Sequence, residues 1–89
     1  MKIKEGFILR KCASAEIVVP VGERMVTHKN VMITLSGSAR LLWDELVKGC
    51  EEKDLVAKLL SEYEVSEEIA ARDVQNFVAK LRQAALLDD

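Results

Sequence analysis

Long hydrophobic runs are missing from this 89-residue chain. No stretch approaches the roughly 20 consecutive apolar residues of a membrane-spanning helix, and the opening MKIKEGFILRKC lacks the extended apolar segment of a secretory signal. The expectation is a cytoplasmic protein with no membrane partner. Cysteine and histidine are scarce: Cys12 and Cys50 stand without a C-x-x-C, and His28 is the one histidine. That excludes a disulfide framework and the common zinc ligand sets. The two thiols are read as buried structural residues and His28 as a solvated loop residue. There is no glycine-rich phosphate loop and no paired nucleophile and base. No enzyme, no cofactor and no metal are therefore expected. With a single proline, four glycines and no repeat or low-complexity tract, nothing marks an internal linker, so residues 1–89 are read as one domain.

What is present is the composition of an ordinary soluble globular domain, 49% hydrophobic and 31% charged. A chain this short buries roughly 60% of its unfolded surface, which gives a lean core and little room for a deep pocket. The net charge of −2 hides an asymmetry: residues 1–30 hold six basic against three acidic side chains, net +3, and the other 59 residues hold seven against twelve, net −5. The basic part is the part expected to form a sheet, and it is expected to steer an acidic partner.

The patterning predicts strands at about 7–12 (FILRKC), 16–21 (EIVVPV) and 31–35 (VMITL), the first two joined as a hairpin by a short ASA connection. Pro20 cannot donate a ladder bond and belongs near an edge or strand end. Helices are predicted at about 37–48, 51–63 and 67–85. The third strand runs almost directly into the first helix, with Ser36 as its N-cap and Gly49 ending it in a left-handed conformation. Cys50 is a poor cap, so fraying is expected at the start of the second helix. Ser66 caps the third, Glu67 and Glu68 complement its dipole, and Ala70, Val74, Phe77, Val78 and Leu81 form its apolar stripe. Trp43 is assigned to the core, and Leu86 and Leu87 are expected to fold back onto it.

Three stretches, VVPVGE (18–23), MITLSGSARLLWDEL (32–46) and DVQNFVAKLRQAALL (73–87), resemble the PqqD family, the small leader-peptide-binding proteins named after pyrroloquinoline quinone biosynthesis. Its fold recurs as the RiPP recognition element of peptide-modifying systems. The family's junction reads roughly L-N-x-T-x-x-x-x-W, where this chain has Leu35, Ser36, Ser38 and Trp43; the helical D-V-x-x-F-x-x-x-L is matched by Asp73, Val74, Phe77 and Leu81. The resemblance implies an α+β, winged-helix-like fold, a three-stranded N-terminal antiparallel sheet followed by three helices. It implies a non-catalytic module that captures the leader of a ribosomal precursor peptide and presents it to a modifying enzyme, often a radical S-adenosylmethionine protein.

The pattern of elements fits that role. If the first two strands form the hairpin, the third keeps one free edge, and an extended peptide can add a strand there while a neighbouring helix supplies side-chain pockets. The expected peptide-binding residues are Val31, Met32, Ile33, Thr34 and Leu35 on the strand and Asp73, Phe77, Lys80 and Ala84 along one flank of the last helix. Two alternatives compete. A winged helix can bind DNA, but Glu67, Glu68 and Asp73 outnumber Arg72 at the leading end of that helix and would repel phosphates. A small assembly subunit, for instance a homodimer paired through the same edge, is the other.

Overall fold

The computed structural model describes residues 1–35 and 37–88. In chain order the elements are β1 (Lys2–Ile3), β2 (Phe7–Cys12), β3 (Ala15–Pro20), α1 (Arg24–Thr27), β4 (Ile33–Leu35), α2 (Ser38–Lys48), α3 (Glu52–Glu62), α4 (Glu67–Gln83) and β5 (Leu87–Asp88). An antiparallel sheet in the order β2-β3-β4 precedes the long helices, an α+β arrangement of winged-helix type.

The hairpin closes tightly. Cys12 faces Ala15 in the ladder, so Ala13 and Ser14 alone make the turn, with Ala13 at φ 56°. Pro20 sits at the end of β3 opposite Phe7, where its missing N–H costs little. β4 is shorter than the sequence pattern suggested: only Ile33 to Leu35 pair with β3, because the Val31 N–H is already bonded to the His28 carbonyl at 3.0 Å in a turn. Ile33 and Leu35 face the core and Thr34 faces solvent, the alternation a half-buried strand requires. The connector before β4 contains the one-turn α1, which is too short to show a period. The Arg24 Nε donates to the Glu5 carbonyl at 2.9 Å, and the guanidinium lies 5.8 Å from the centre of the Phe7 ring. Gly6, at φ 96°, allows this approach, since a Cβ there would collide with the Arg24 side chain.

Gly37, at φ 55° and ψ −125°, turns the chain from β4 into α2. The expected cap, Ser36, lies outside the described residues. Gly49 ends α2 at positive φ, 94°, but with an extended ψ of 129° rather than a left-handed helical one. The predicted fraying of the next helix is overturned. Glu51, not Cys50, is the N-cap of α3, and its N–H donates to Asp54 Oδ2 at 2.9 Å in a capping box. α4 starts as expected, with Ser66 Oγ accepting from the Ile69 N–H at 3.2 Å. It ends in a Schellman motif: Leu86 N–H bonds to the Leu81 carbonyl and Ala85 N–H to the Arg82 carbonyl, both at 3.0 Å, with Ala85 at φ 59°.

Val18, Leu46, Leu55, Val74, Leu81 and Leu86 are fully enclosed at the centre, and Trp43 is buried among them as assigned. Leu86 and Leu87 do fold back, and Leu87 belongs to a strand the pattern did not suggest. β5 pairs with β1 through Ile3↔Leu87 and Lys2↔Asp88, a ladder too short to leave a periodic signal. Neither cysteine is a buried thiol: Cys12 is exposed at the hairpin and Cys50 is half-buried. Burial, followed by nearby Asp54, pushes the Cys50 thiol up from its ordinary pKa.

Candidate functional site

β3 covers one side of β4, and among the described residues no strand of the sheet covers the other. This free edge belongs to the segment that lines one wall of a groove, and α4 forms the opposite wall. At one end a cavity of about 610 Å³ lies between residues 26–33 and the last turns of α4, where Lys80, Gln83, Ala84 and Ala85 line it. Lys80 also lines a neighbouring cavity of about 270 Å³, which Asp73, Asn76 and Phe77 share with Ser38, Ala39 and Leu42 at the start of α2. The two form one track along α4, a shallow surface suited to an extended chain.

The structure distributes the predicted residues unevenly. Val31, Met32, Ile33, Lys80 and Ala84 meet in the larger cavity, and Asp73, Phe77 and Lys80 in the smaller. Thr34 and Leu35 line neither. Leu35 is a core side chain and pairs with Glu16 of β3, so its side chain offers a peptide no contact, and Val31 and Met32 precede the ladder rather than belonging to it. Phe77 is half-buried: one side packs on the core and another lines the groove. Met32 is 71% exposed and Val26 80%, an apolar lip at the larger cavity.

His28 is not a free loop residue. Its Nδ1 bonds to Thr27 Oγ1 at 2.7 Å, its Nε2 to the Ala85 carbonyl at 3.1 Å, and its ring meets Phe7 edge-on at 5.2 Å. With Nε2–H as the donor and Nδ1 accepting from the threonine hydroxyl, one tautomer satisfies both contacts. It thereby ties the connector to the cap of α4 and closes that end of the groove. Sequence reasoning missed His28, Lys29 and Asn30, because loop residues carry no period. Asn76 and Gln83 were legible, each three positions after a selected residue on the same helix flank.

Among the described residues no polar or charged side chain is buried, and no three His, Cys, Asp or Glu side chains gather as metal ligands would. None of the described helices is long and apolar enough to cross a membrane.

The family model for coenzyme PQQ synthesis protein D (PqqD) matches residues 7–87. TbiB1 in complex with the TbiA(beta) leader peptide has a similar structure, with a TM-score of 0.74 and 20% sequence identity over 99% of this chain and 95% of that one. Lasso peptide synthetase B1 complexed with the leader peptide is similar with a TM-score of 0.73 and 21% identity, over 96% and 93% of the two chains. At these identities the likeness is one of fold. Comparison with curated proteins gives no match.

Proposed function

The chain belongs to the PqqD family, and on that premise we propose that it is a non-catalytic carrier of a ribosomal precursor peptide. It takes the leader segment as an added strand on the outer edge of β4 and presents the peptide to a modifying enzyme, a radical S-adenosylmethionine protein being the partner the family resemblance suggests. The observation that carries this reading is the free β4 edge beside a groove walled by α4. Backbone pairing supplies sequence-tolerant attraction, and the cavities supply selectivity. The two solved proteins of the same fold hold leader peptides, as their names state. The shallow groove and the lack of a buried polar cluster among the described residues favour a carrier over a catalyst.

Ordering a flexible leader costs about 1–2 kcal/mol per residue, so net affinity should be modest, near micromolar or about −8 kcal/mol. Titration calorimetry of the purified protein with leader peptides of ribosomal precursors from its own source should show saturable binding of one of them at that strength. No heat or saturation up to millimolar peptide would refute the reading.

A further inference from the structure

We infer that the groove reads charge as well as shape: its larger end, between Lys29 and Lys80, is a subsite for a carboxylate side chain of the bound peptide, and its Asp73 end favours one less. This deepens the leader-binding reading and rests on it. Lys29 comes from the connector before β4 and Lys80 from α4, so the two cations reach the same cavity from opposite walls. Among the described residues no carboxylate lines that cavity and neither lysine forms an ion pair. The amides of Asn30 and Gln83 add hydrogen-bond donors.

Lys80 has a second task in the last turn of α4, where a cation offsets the negative end of the helix dipole. That task does not account for Lys29, which lies outside the helix. Of the carbonyls at the end of α4, those of Lys80, Leu81 and Arg82 are capped by the Ala84, Leu86 and Ala85 N–H groups and that of Ala85 meets His28, which leaves fewer to oppose an anion. Both lysines are exposed, so an incoming carboxylate gains attraction without a large desolvation cost.

The opposite end carries the acid. Asp73 lines the smaller cavity beside Phe77 and Leu42; Lys80 lies at the boundary the two cavities share, and Arg72 Nε sits 3.8 Å from Asp73 Oδ1 outside the lining, so this end favours a carboxylate less than the larger one does. Lys80 lies seven helical steps beyond Asp73, about 10 Å of rise, which an extended peptide spans with roughly three residues. A peptide with a carboxylate at one position and an apolar side chain two to four positions away therefore fits better in one direction than in the other. Reversed, its acid would meet Asp73.

The test uses randomised 12-residue peptides displayed on phage and selected against the full chain and against a Lys29→Glu/Lys80→Glu variant, folding being checked by circular dichroism and a cooperative melt. Wild type should enrich one Asp or Glu position beside an apolar one, and the variant should enrich Lys or Arg in its place. In a synthetic selected peptide, Glu→Gln should weaken binding to wild type about three- to tenfold, as one or two exposed ion pairs would. Enriched peptides with no acidic preference, or the same preference in the variant, would overturn the subsite while leaving leader binding intact. No enrichment on wild type would overturn both.

Discussion

Single residues in this fold are placed by backbone conformation as much as by burial. Ala85 holds the left-handed position that closes the Schellman motif of α4, and it does so with a Cβ that costs about 1–2 kcal/mol there. Its side chain is exposed, so Ala85→Gly removes strain without removing core contacts. We expect that substitution to stabilise the protein by about 0.5–1 kcal/mol after the greater flexibility of glycine in the unfolded chain is counted, a rise in melting temperature of about 2–6 °C. Gly37 is the opposite case. A Cβ there would meet nothing within 4 Å, yet φ 55° with ψ −125° is a region L side chains avoid, so Gly37→Ala should destabilise by about 1–2 kcal/mol. Thermal melts of the two variants should move in opposite directions. A lower melting temperature for Ala85→Gly would show that the cap is not the strained element.

At the scale of elements, β4 joins fold to function. If the leader pairs with its free edge, Thr34→Pro deletes one N–H, disturbs the strand and should weaken peptide binding at least tenfold, whereas Thr34→Val keeps the backbone group and should change affinity less than twofold. The exposed side chain of Thr34, outside both cavities, makes the valine control clean. Proline counts only if circular dichroism and a cooperative melt show an intact fold, and equal loss in both variants would argue against backbone pairing. The residues around β4 also show what a sequence reveals. Ile33, Thr34 and Leu35 alternate and Val74, Val78 and Leu81 recur at helical spacing, so strand and helix were legible from the period of their apolar residues. The β1–β5 pair and α1 were not, because two to four residues are too few to establish a period. The α4 flank of the groove could be drawn from Asp73, Phe77, Lys80 and Ala84. The facing wall, with His28 and Lys29, depends on how an aperiodic connector folds back onto the end of α4.

Across the whole molecule, charge is sorted by location. Arg40, Lys48, Lys53, Lys58, Arg72 and Arg82, all on the three long helices, each pair with a carboxylate, and Arg40 bridges Glu16 of β3 and Asp44. No ion pair among the described residues engages Lys2, Lys4, Arg10, Lys11 or Lys29, which belong to the first thirty residues, where the net charge is +3. Paired charges nearly cancel at a distance, whereas unpaired cations project a field toward an approaching ligand. That field decays over about 10 Å at 0.1 M salt, so it acts on the encounter more than on the docked complex. For an acidic peptide recovered by the selection above, stopped-flow association rates should fall several-fold between about 0.05 and 0.5 M salt, with dissociation changing much less. The charge of the sheet can be varied apart from that of the groove: Arg10→Glu/Lys11→Glu, on β2 and outside the groove lining, should slow association while leaving the off-rate near wild type. Association rates that stay flat with salt would mean that the unpaired cations of the sheet have no part in capture, and that any charge preference arises only after contact, at Lys29 and Lys80.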